Sequence, residues 1–118
     1  MIAFVASDLI WSSRIKATAD ALGVGSKRIF NPDGLGALVD SGKLRLVLID
    51  LESEDAEVIV DALRGQHATE LSKSIPTLAW APHVMVESME SARAAGVDRV
   101  LTRGAFSSKL EAIVAEVV

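Results

Sequence analysis

The sequence predicts an α/β fold in which a parallel sheet is covered by helices on both faces. Three observations carry this. The 118 residues suit a single domain, residues 1–118. Hydrophobic residues make up 50% of the chain, but they come in short bursts, none near the roughly 18 needed to cross a bilayer. Polar stretches with helical spacing separate the bursts, and strict strand–helix alternation implies parallel pairing.

Taken in order, Ile2–Ala6 reads as a buried first strand, closed by Ser7 and Asp8. A helix over Leu9–Leu22 follows, with Trp11, Ile15, Ala19 and Leu22 on one face and Gly23 as its stop. Ser26–Phe30 is a weak second strand. Asn31-Pro32 pairs a capping side chain with proline in the first turn, so a second helix runs to about Ser41 and stops at Gly42. Leu44–Leu51 is apolar almost throughout, as a strand covered on both faces should be, and it carries Asp50 at its end.

Ser53 is the expected cap of a third helix, with Glu54, Asp55 and Glu57 where the helix dipole favours acids and a clear helical pattern over Val58–Arg64. Gly65–Ser74 reads equally as frayed helix or loop. Ile75–Ala81 is the fourth strand, broken by Pro82-His83. Val84–Ala95 is the fourth helix, ended by Gly96, and Val97–Thr102 the fifth strand. Ser107 or Ser108 is the expected cap of a last helix, with Glu111 completing a capping box after Ser108. Its apolar end, Ile113–Val118, lacks a clear cap, as either an attached downstream segment or a chain cut at this point would explain. Five strands alternating with five helices, joined by right-handed crossovers, predict the flavodoxin-like order 2-1-3-4-5.

Composition excludes several function classes. No cysteine is present, which removes disulfides, thiolate metal sites and a cysteine nucleophile. Two tryptophans and three phenylalanines are the only aromatics, and the net charge is −4, so neither stacking platforms nor a basic stripe for nucleic acid is predicted. Mean hydropathy is high at +0.36, but there is no signal-peptide pattern, and a cytoplasmic protein free of membrane is the expectation. The glycine pairs Gly23/Gly25 and Gly34/Gly36 lack the third glycine of a dinucleotide fingerprint and lie in the wrong place for one. His67 and His83 have no ligand partner at useful spacing. The run from Asp50 to Glu57 does not match a calcium-loop pattern and reads as a solvated helix start.

Ligands of such sheets bind at the carboxyl ends of the strands near the switch point. That rule selects Ser7, Asp8, Asp50, Ala81 and Arg103. Asp8 and Asp50 end neighbouring strands, about 5 Å apart. Such a pair suits a hard divalent cation, and one of them suits a phosphoryl acceptor. The alternatives are that Asp8 caps the first helix, that Asp50 is a solvated strand-end carboxylate, and that Arg103 pairs with Asp50 in place of a cation. Trp11 stands where it would partly cover the site, and Trp80 reads as a packing residue.

At these positions the sequence resembles the receiver domain of bacterial response regulators, the CheY-like family, over essentially the whole chain. IAFVASDLIWSSRI resembles the first receiver strand, its acidic loop and the following helix. LRLVLIDLE resembles the third strand ending in the phosphorylated aspartate, which maps to Asp50. IPTLAWA and AAGVDRVLTRGAF resemble the fourth strand and the fifth strand with its flanking turns. Four places depart from the pattern. One of the two acids after the first strand is Ser7, and the Ser or Thr ending the fourth strand is Ala81. The Lys-Pro after the fifth is Arg103-Gly104, and the loop after the acceptor reads Leu51-Glu52-Ser53-Glu54-Asp55.

The resemblance therefore implies a pseudo-receiver: a receiver fold with an eroded phosphorylation site, acting as a signalling or protein-interaction module and not as an enzyme. Its surface would be the face of the predicted fourth helix, fifth strand and last helix, with Met85, Val86 and Met89, serving a protein partner or a homodimer. The alternative is an atypical working receiver, phosphorylated on Asp50 by a histidine kinase with Mg²⁺ held by Asp8, Asp50 and the Leu51 or Glu52 carbonyl.

Overall fold

A computed structural model describes all residues, Met1–Val118. Five strands, β1 (Ile2–Val5), β2 (Ser26–Arg28), β3 (Leu46–Asp50), β4 (Thr77–Ala81) and β5 (Arg99–Thr102), form one parallel sheet in the order β2-β1-β3-β4-β5. This is the predicted flavodoxin-like order. The strands are shorter than their apolar runs because Leu44, Ile75 and Val97 are buried by the chain entering the sheet, ahead of the ladder.

Six helices connect and cover the strands: α1 (Leu9–Ala21), α2 (Pro32–Asp40), α3 (Ala56–Arg64), α4 (Glu70–Ser74), α5 (Val86–Ala94) and α6 (Arg103–Ala115). None is long and apolar enough to cross a membrane. The extra helix is α4, which resolves the ambiguous stretch: Thr69 Oγ1 accepts the Ser72 amide at 3.0 Å and starts one short turn. Gly23, Gly42 and Gly96, where the sequence stops helices, all have positive φ (72°, 72° and 104°), the left-handed backbone that glycine adopts without steric cost.

Alternating side chains divide the sheet into two cores. On one face Ala3, Val5, Val47, Ile49 and Ala79 pack against α2, α3 and α5. On the other, Ile2, Phe4, Leu46, Leu48, Leu78 and Trp80 pack against α1 and α6. Met89 belongs inside: it is 7% exposed, so of the apolar residues expected on the outer face of this helix, Val86 (52%) is the one that faces solvent.

Two expected caps are displaced. Ser53 does not cap α3; it lies two residues before the cap position, its hydroxyl accepts the Asp55 amide, and Asp55 stands at the cap without a side-chain bond. The last helix starts at Arg103, because Thr102 Oγ1 accepts the Ala105 amide at 3.2 Å and the strand runs straight into the helix. Ser107 instead accepts hydrogen bonds from Arg14 of α1, and Ser108 donates to the Ala105 carbonyl within the helix.

One network escaped the sequence reading. Arg64, at the end of α3, donates to the carbonyls of Ser72, Ile75 and Gly96 and to Asp98 Oδ2 at 3.1 Å. Asp98 in turn accepts from the Thr77 amide at 2.8 Å and hydroxyl at 3.1 Å, while its own amide donates to Thr77 Oγ1. The network ties α3, α4 and the starts of β4 and β5 together at the end of the sheet opposite Asp50.

Candidate site at the carboxyl edge of the sheet

β1 and β3 are neighbours with Val5 opposite Ile49, so the chain leaving β1 passes directly beside Asp50. Asp50 is fully buried. A buried carboxylate needs donors to replace its hydration, and here it has three. Ser7 donates both its amide (2.9 Å) and its hydroxyl (2.6 Å) to Oδ2, and the Glu52 amide donates to Oδ1 at 3.0 Å. Asp50 is therefore not the solvated strand-end carboxylate that was one sequence expectation. On the next strand its register partner is Trp80, which extends on the same face. Trp80 stacks on Phe106 with ring centroids 4.1 Å apart, and Trp11 tilts against both at 5.4 Å. Trp11 and Trp80 thus build one aromatic cluster with α6. The Trp80 indole N–H is buried without a partner.

The other predicted site residues surround Asp50 without joining it. Asp8 caps α1: its Oδ1 accepts the Trp11 amide at 2.8 Å. Ala81 is buried at the end of β4 and brings no hydroxyl; Thr102, its register partner, uses its hydroxyl on the α6 cap. Arg103 does not replace a cation at Asp50. It stands in the first turn of α6 and lies 3.7 Å from Glu52 Oε1, a solvent-exposed pair. The helix begins at Arg103 itself, so its side chain leaves from a helical turn and meets the loop after Asp50. A cation missed in the sequence, Arg28 of β2, donates to the Ala6 carbonyl at 2.9 Å and lies over the Phe30 ring at 4.8 Å. Its position within a weak three-residue strand gave no signal.

A hard divalent cation takes about six oxygen ligands or more. Both Asp50 oxygens already accept from the protein, Asp8 Oδ1 is engaged in its cap, and no three acids or histidines stand close enough together to hold a metal ion. This donor set is a poor fit for Mg²⁺.

The receiver domain of NtrX from Brucella abortus superposes with a TM-score of 0.74 at 18% identity, covering 99% of this chain and 97% of that one. The chain has the receiver-domain fold. Two further receivers agree with a TM-score of 0.74. The receiver domain of the sensor histidine kinase PA1611 from Pseudomonas aeruginosa, which has a magnesium ion coordinated in its active-site cleft, is 17% identical over 98% of this chain and 93% of that one. The chemotaxis response regulator CheY4 of Vibrio cholerae is 15% identical over 99% and 97%. In a longer NtrX chain the match covers 25% of that chain, at 21% identity. No family model matches the sequence, and no curated protein does.

Proposed function

We propose that this receiver-fold domain is a signalling module that works by protein interaction, with Asp50 closed to phosphoryl chemistry. The observation that carries the reading is the pair of Ser7 hydrogen bonds to one oxygen of a fully buried carboxylate, with the Glu52 amide on the other. A phosphoryl acceptor needs one carboxylate oxygen free to reach the phosphorus; here Oδ2 accepts two hydrogen bonds from Ser7 and Oδ1 accepts one from Glu52. Ala81 supplies no hydroxyl for an incoming phosphoryl oxygen, and Arg103 is drawn to Glu52. The partner, a second protein or a second copy, docks on the face made by α5, β5 and α6, where Val84 (73% exposed) and Val86 stand free beside an edge strand.

The test is incubation with acetyl phosphate and Mg²⁺ followed by intact-mass measurement, with Asp50→Ala alongside. An unchanged mass in both supports the reading. A gain of one phosphoryl group, lost in Asp50→Ala, overturns it and establishes a working receiver with an unusual site.

A further inference from the structure

A groove of about 990 Å³ runs between α3 and α5, from the loop that follows Asp50 (Leu51, Ser53 and Glu54) to Arg64 and Gly65 at the far end of α3. Its origin lies in the sequence of α5. That helix presents Ser88, Ser91, Ala92 and Ala95 to the groove, the spacing i, i+3, i+4, i+7 of one helical face. Packed helices usually meet through interdigitating side chains at about 8–10 Å. This face has nothing longer than serine, so no side chain from α5 crosses the space. The floor is apolar where Val60 and Ala92 reach into the core below.

The rim is charged in one sense. Glu54, Glu57 and Asp61 line it from the α3 side and Glu87 from the α5 side. None of the four takes part in any of the ion pairs of the molecule. The one cation in the lining, Arg64, is committed to backbone carbonyls and Asp98. Two exposed helical flanks, a small-residue wall, an apolar floor and four unpaired carboxylates specify a complementary shape and charge.

We propose that this groove docks a basic amphipathic helix of a partner protein. Its small apolar side chains would reach the Val60–Ala92 floor, and its Lys or Arg residues would pair with the acidic rim. The small wall of α5 lets a helix backbone approach closely. A second copy of this chain is a poor occupant, because its net charge of −4 opposes the rim.

The test uses a short Leu/Lys amphipathic helical peptide, with a Leu/Glu peptide of the same pattern as control, titrated into the whole domain and followed by amide NMR. Saturable shifts centred on Val60, Ser88, Ser91 and Ala92 with the basic peptide alone are expected. Glu57→Lys with Asp61→Lys should weaken binding about tenfold or more, and raising salt should weaken the wild type in the same direction. Ser91→Gln fills the groove without changing charge and should also weaken binding about tenfold. Shifts centred on another surface, or Ser91→Gln binding as tightly as the wild type, would overturn the proposal. So would self-association of the free domain through α3 and α5, which would make a second copy the occupant.

Discussion

Ser7 and Asp50, 43 residues apart in the chain, meet through two hydrogen bonds to a single carboxylate oxygen, from the Ser7 amide at 2.9 Å and its hydroxyl at 2.6 Å. Ser7→Ala removes one donor and leaves Oδ2 with the amide alone. The expected cost is about 1–3 kcal/mol, the range for hydrogen bonds to charged or buried groups, read as a lower urea midpoint with an unchanged slope. Ser7→Asp goes further by setting a second carboxylate beside the first. That variant should be less stable than the wild type in chelator and should regain stability with added Mg²⁺, whereas the wild-type midpoint should not respond.

Acid should loosen the end of the sheet opposite Asp50. Burial works to raise the Asp98 carboxyl, but the Thr77 amide and hydroxyl and the Arg64 guanidinium outweigh it and hold Asp98 below its ordinary value. The side-chain hydrogen bonds from Arg99 lower Glu116 likewise, partly opposed by burial. Both groups are lowered on folding, so their stabilisation is fully present above the unfolded values of about 4 and is lost as pH falls through the folded values. Urea midpoints should be level from neutrality to about pH 5 and fall below about pH 4. Asp98→Asn should flatten that fall; an equally steep fall in the variant would show that Asp98 is not its source.

Arg64 acts as a clamp, and the shape of its guanidinium matters as much as its charge. Its side chain is 11% exposed and serves several carbonyls at once. Arg64→Ala leaves those exposed and part-buried acceptors without their shared donor and should cost about 1–3 kcal/mol. Arg64→Lys keeps the charge but cannot reproduce the planar fork, so it should recover less than half of that loss in a denaturation series.

Two glycines should respond to alanine in opposite directions. At Gly96 φ is +104° and a new Cβ would lie 3.3 Å from Arg64 Cγ and Cδ. Gly96→Ala should therefore destabilise by about 1 kcal/mol or more, through backbone strain and pressure on the clamp. Gly36 lies within α2 with open space at its Cβ position, so Gly36→Ala should stabilise by about 0.5–1 kcal/mol. Thermal midpoints of the two variants check both signs.

Much of this architecture is legible in the chain because it is written locally. The apolar bursts, the Asp8 and Asn31 caps and the glycines at 23, 42 and 96 each act within one turn or one strand, and the strand order follows from alternation and handedness. The misplaced features are those decided by competition or at a distance. Ser108 and Glu111 have the spacing of a capping box, yet Thr102 reaches a free amide earlier and wins. Arg103 carries a charge suited to Asp50, but a helix that begins at Arg103 turns it toward Glu52. The Arg64–Thr77–Asp98 network joins residues 13 and 34 positions apart, and no spacing rule brings those together. At the site, sequence identified Asp50 and the loss of an acid at Ser7; that the serine itself hydrogen-bonds the carboxylate needed the fold.

The most direct test of a closed Asp50 is a Mg²⁺ titration of the wild-type domain, followed at the backbone amides of Ser7 and Glu52. These two amides hold the carboxylate, so any cation binding there must disturb them. The account predicts that neither resonance moves in a saturable way at millimolar Mg²⁺. A saturable shift confined to Ser7, Asp8 and Glu52 would contradict it and show that the carboxylate is open to a metal.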